Sequence, residues 1–71
     1  MNDDKVYKLI ELTGTSSGCI GDAVNNALAK ASKTVRNMKW FEVTEMRGAI
    51  DESSVGQWQV TIKVGFSVDE E

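Results

Sequence analysis

The chain has 71 residues, with 8 Lys and Arg against 11 Asp and Glu, a single Cys, and neither His nor Pro. That length holds one domain, and folding at this size buries only about 60% of the unfolded surface, so outside support is expected. One Cys without His builds no intrachain disulfide and no zinc or iron–sulfur ligand set, and a net charge of −3 argues against a phosphate-backbone partner.

Identical neighbouring subunits are then the leading source of support. No apolar run approaches the roughly 20 residues that span a bilayer. The acidic start Met1-Asn2-Asp3-Asp4 is unlike a leader peptide, which points to a cytoplasmic protein with no membrane partner. Fraying is expected only at the acidic ends, leaving one domain ordered over about residues 5–68.

In chain order, Lys5–Leu12 reads as a strand. Val6, Ile10 and Leu12 alternate with Tyr7, Leu9 and Glu11, and two partly apolar faces predict cover on both sides. Thr13–Gly18 reads as a turn into a helix start, with Ser16 or Ser17 as N-cap. From Ile20, apolar residues recur at Ala23, Val24, Ala27, Leu28, Ala31 and Val35, one stripe of an amphipathic helix predicted from about Gly18 to about Arg36. Asp22 near its start and Lys33 and Arg36 near its end suit the dipole. Two strands follow, about Asn37–Ile50 and Val55–Val68, joined by the turn-forming Asp51-Glu52-Ser53-Ser54. The order is β-α-β-β and the class α+β.

The last strand sorts cleanly by parity. Trp58, Val60, Ile62, Val64, Phe66 and Val68 share one face, and Gln57, Gln59, Thr61, Lys63, Gly65 and Ser67 the other. The apolar set must lie under the helix. Pairing Ile50 with Val55 across the turn sets Phe41 opposite Val64 and Val43 opposite Ile62 beneath the helix. On the other face it sets Trp40 opposite Gly65, Glu42 opposite Lys63, Thr44 opposite Thr61 and Met46 opposite Gln59.

Trp40 thus falls on the face away from the core, with Gln57 and Gln59. Two readings stand for it: filler of a subunit interface, or a stacking platform with Gly65 leaving space above the ring. The glutamine amides carry donor and acceptor together, the complement of a planar heterocycle showing N–H beside C=O. Fourteen strand residues span roughly 46 Å, against roughly 28 Å for the predicted helix. The hairpin therefore overhangs, carrying Met46, Arg47, Ile50, Val55 and Trp58. The same register sets Arg47 opposite Trp58, within reach of a cation–π contact, at a junction between chains where Arg47 makes either an interface salt bridge or an anionic-ligand contact. Lone Cys19 reads as a helix-start residue against the core, with a reactive thiol as its alternative.

Together Val6-Tyr7-Lys8, Glu11-Leu12-Thr13-Gly14-Thr15-Ser16, Trp40-Phe41-Glu42-Val43, Arg47-Gly48, Trp58-Gln59-Val60 and Lys63-Val64-Gly65-Phe66 resemble the dodecins over about Val6–Val68. The resemblance implies a curved, three-stranded antiparallel sheet on one helix and a hollow homododecamer. It implies a flavin-binding protein for storage, sequestration or photoprotection, not an enzyme. By motif, Trp40 matches the residue stacked on the flavin ring, Gln59 the one bonded to its pyrimidine edge, and Arg47 an arginine beside the flavin in bacterial members. Gln57 joins them as a candidate. The arginine pattern favours FMN over riboflavin or FAD, and Ser67 stands where some relatives carry a basic residue. A ligand-free assembly protein and an RNA-binding sheet are the alternatives. The second is disfavoured by a face that offers one Trp on an acidic chain.

Overall fold

A computed structural model describes residues 4–68. The fraying expected at the ends lies, Asp4 apart, outside the described residues. Four elements follow one another: β1 (Tyr7–Ser16), α1 (Ile20–Ala31), β2 (Met38–Asp51) and β3 (Ser54–Ser67). They form an antiparallel three-stranded sheet in the order β1-β3-β2, with the helix on one face. The predicted β-α-β-β arrangement holds.

Parity in β3 decides which face carries the core. Val60, Ile62 and Val64 are buried against Ala23, Val24 and Ala27, with Ile10, Leu12 and Leu28 packed at the margin. The small helix residues bring α1 close to the sheet. At the closest approach, a Cβ on Gly14 would overlap the Ala23 carbonyl and lie 2.8 Å from Ala27 Cβ. Gly14 therefore continues β1 beneath the helix. The stretch through Ser16, expected to turn, stays extended because only this residue fits there.

Both helix ends differ from expectation. Cys19 is the N-cap, its sulfur accepting from Asp22 N at 3.4 Å, and it is exposed, not set against the core. Ser16 Oγ instead accepts from Gly18 N at 2.9 Å, a local turn that leads into the cap. At the other end α1 stops at Ala31. Ser32 Oγ donates to the Ala29 carbonyl at 2.7 Å, and the amides of Thr34 and Val35 both close on the Ala31 carbonyl. Ser, Thr and Val are weak helix formers, so the stripe that reaches Val35 ends in a turn, and Asn37 at φ 64° redirects the chain.

The hairpin carries the main correction. Ile50 faces Val55, and Trp40, Phe41, Glu42 and Val43 face Gly65, Val64, Lys63 and Ile62, as predicted. Between those stretches the register shifts by one. Thr44 is an extra residue, and Glu45, Met46, Arg47 and Gly48 face Thr61, Val60, Gln59 and Trp58. A bulge of this kind changes which face later residues occupy. The expected Thr44–Thr61, Met46–Gln59 and Arg47–Trp58 pairs therefore do not form. Thr44 Oγ1 instead donates to the Thr61 carbonyl at 3.2 Å.

The helix packs on β1 and β3 but does not reach β2. Phe41, Val43 and Met46 on the helix-side row are left exposed, and a cleft of about 250 Å³ opens between Leu28, Met38, Phe41 and Val64. Ile50 at the hairpin end is 81% exposed, whereas Trp58 is half-buried. The chain measures 58 × 20 × 14 Å with a radius of gyration of 14.8 Å, against about 11 Å for a compact chain of this length.

Candidate functional site

The face away from the helix carries the odd residues of β3, flanked on one side by Tyr7, Leu9, Glu11, Thr13 and Thr15 of β1. Trp40, Glu42, Glu45, Arg47 and Ala49 of β2 flank the other side. At one end sits an aromatic patch. Trp40 lies across Gly65, where a Cβ would overlap the indole Cε2 and Cζ2. The glycine thus makes room for the ring itself, not for space above it. Tyr7 meets the indole edge-on, ring centroids 6.4 Å apart at 65°, an arrangement aromatic quadrupoles favour. One indole face rests on backbone, and the residue remains 43% exposed.

Tyr7 and Leu9 join this patch because β1 pairs with β3 at Ser67 and Gly65. The cover expected on their side of β1 is not supplied by the chain itself. Parity within β1 already placed the two on one face. What it lacked was the long-range pairing that brings that face to Trp40.

At the other end lies a polar cluster. Arg47 Nε donates to Gln59 Oε1 at 2.8 Å, and Gln59 Nε2 donates to Gln57 Oε1 at 3.0 Å. Arg47 Nη1 also donates to Glu45 Oε1 at 2.8 Å. The Thr44 bulge brings Arg47 here, so the cation–π contact with Trp58 on the opposite face is excluded. Glu45 was missed by sequence reasoning, because an unbroken register turns it away from Gln59. Between the two ends Thr13 and Thr61 share a hydroxyl–hydroxyl bond at 2.8 Å.

Of the four predicted site residues, three are brought together: Arg47, Gln57 and Gln59. Trp40 stands apart. It pairs with Gly65, six residues along β3 from Gln59, roughly 20 Å of strand. One tricyclic ring cannot touch both within a single chain. Each half nonetheless has the chemistry for a planar heterocycle, an indole with an open face and an amide set rich in donors and acceptors. Among the described residues no group of three or more His, Cys, Asp or Glu side chains could hold a metal ion, and no helix is long and apolar enough to cross a membrane.

The dodecin family profile matches residues 6–69. The dodecin of Thermus thermophilus is 50% identical over 66 residues, which cover 93% of this chain and 96% of that protein. A solved structure from Thermus thermophilus superposes with a TM-score of 0.89 at 48% identity, covering 96% of this chain and all (100%) of the other. The structure of dodecin from Streptomyces coelicolor gives a TM-score of 0.89 at 41% identity over 99% of this chain and 100% of its own. Sequence, fold and extent agree, and the chain belongs to the dodecin family.

Proposed function

We propose that this chain binds flavin at the junctions of a hollow homododecamer, with Trp40 of one subunit stacked on the ring and Gln59, Arg47 and Gln57 of an adjoining subunit at its polar edge. The observation that carries this is the separation of the two half-sites on one outer face. An indole with a supported back and an open front, and a polar cluster roughly 20 Å along the same strand, are completed only by a second copy. The residues fit the ligand: stacking removes flat apolar surface from water, and Gln59 satisfies polar edge atoms that burial would otherwise strand.

The role is storage, sequestration and photoprotection in the cytoplasm. It is not catalysis, and it involves neither nucleic acid nor membrane. A ring clamped by indoles is closed to substrate, and His as a general base is absent from the chain. An indole in contact with an excited flavin donates an electron to it and recovers it without emission, so bound flavin is expected to be dark. FMN is the ligand favoured by the resemblance to bacterial members of the family, with riboflavin and FAD as alternatives. Titrating apo-protein with each flavin is expected to quench fluorescence to a stoichiometric end point. Trp40→Ala is expected to weaken binding at least about tenfold, about 1.4 kcal/mol, and to restore emission to what remains bound. Unchanged affinity and quenching in that variant would sink the reading, and wild-type protein that ignores every flavin would leave a ligand-free assembly.

A further inference from the structure

The hydrogen bonds on the polar half-site run in one direction. A carboxylate only accepts and a guanidinium only donates. Glu45 and Arg47 therefore set the sense of the chain from one end. Facing Arg47 Nε, Gln59 must present its carbonyl oxygen, which it does at 2.8 Å. Its amide nitrogen is thereby turned to Gln57 Oε1 at 3.0 Å. Flipping the Gln59 amide would set N–H against N–H at Arg47 and carbonyl against carbonyl at Gln57.

The Gln59 oxygen has two lone pairs and its nitrogen two protons. With one of each spent along the chain, one acceptor and one donor remain on the same rigid amide. That couple complements an imide edge, in which a ring N–H sits beside a carbonyl. Arg47 spends two of its five N–H donors on Gln59 and Glu45; its charge is offset by Glu45, and the two side chains are 55% and 64% exposed. A pair so exposed contributes little stability. What it fixes is geometry.

Resting on the flavin reading above, we propose that Arg47 is a positioning residue that acts through Gln59, orienting its amide for a heterocycle with an imide N–H, and is not the receptor of a phosphate tail. The test titrates wild type, Arg47→Met, Arg47→Lys and Glu45→Gln with riboflavin, FMN and 3-methylriboflavin, in which the imide N–H is replaced by N–CH3. Circular dichroism and sedimentation verify that each variant folds and assembles. Wild type is expected to favour riboflavin over its 3-methyl form by about tenfold or more.

Both Arg47 variants are expected to lose that preference and to weaken riboflavin and FMN by the same factor, about tenfold. Lysine keeps the charge without the planar fork that spans Glu45 and Gln59. Glu45→Gln keeps an acceptor for Arg47 while removing the charge offset, so it is expected to retain the preference and to leave FMN unchanged relative to riboflavin. A loss confined to FMN in Arg47→Met, wild-type behaviour in Arg47→Lys, or selective tightening of FMN in Glu45→Gln would each overturn the proposal. So would an intact imide preference without Arg47. Wild type that binds no riboflavin overturns the flavin reading itself, a result distinct from all of these.

Discussion

Trp40 and Gly65 act as a unit. The glycine has no side chain, so the indole lies flat on the sheet, braced at its edge by Tyr7. Gly65→Val is expected to lift the ring and weaken flavin binding about tenfold or more. Because valine favours strands over glycine on a scale spanning about 1 kcal/mol, thermal unfolding is expected to be unchanged or slightly raised. A titration and a melting scan on the same sample check both halves, and lost stability with intact binding would refute the pairing. The placement of Gln59 on the outer face was legible from the period-two pattern of β3 alone, and that of Trp40 from the pairing of Ile50 with Val55 across the turn. The contribution of Tyr7 was not, since it depends on pairing with a strand distant in sequence.

At the level of elements, the Thr44 bulge decides the site. Nothing in Val43-Thr44-Glu45 marks it, because neither Gly nor Pro is present and any of these residues suits a regular strand. An unbroken count from the turn therefore places Arg47 on the helix side, although the pairs near Trp40 come out correctly because a compensating irregularity between Ala49 and Ile50 cancels the shift. Deleting Thr44 leaves Val43 opposite Ile62 and Glu45 opposite Thr61 in a continuous ladder. Flavin affinity is then expected to survive within about threefold, or about 0.7 kcal/mol. In a hairpin without the bulge the same deletion would invert one side and abolish binding, so titration of the deletion variant separates the two. The helix was legible in its stripe but not in its end, where a serine hydroxyl bonding back to Ala29 outweighs the apolar period at Val35.

For the whole molecule, shape is the argument. The chain exposes 5252 Å², against roughly 4,400 Å² for a compact monomer of its mass. The excess includes the row Phe41, Val43 and Met46 that the helix does not cover. Large exposed apolar rows on an edge strand call for a partner, and under the proposed function the divided site on the opposite face also needs a second copy. Val43→Lys is expected to dissolve the assembly in a sedimentation run and to abolish flavin quenching in parallel. A monomeric variant that still binds flavin would place both half-sites in one chain.

The strand order also governs how the sheet comes into being. β3, the final element of the four, lies between β1 and β2 and supplies every ladder in the sheet. As a ribosome extends the polypeptide, both outer strands and the helix emerge before the ribbon that unites them. The β2–β3 hairpin needs only a short loop, while Tyr7 meets Ser67 across nearly the full described length, the costlier closure. Contact separation thus favours closing the hairpin before the β1–β3 ladder, and the Gly65 on which Trp40 rests is translated after Tyr7, Leu9 and Trp40.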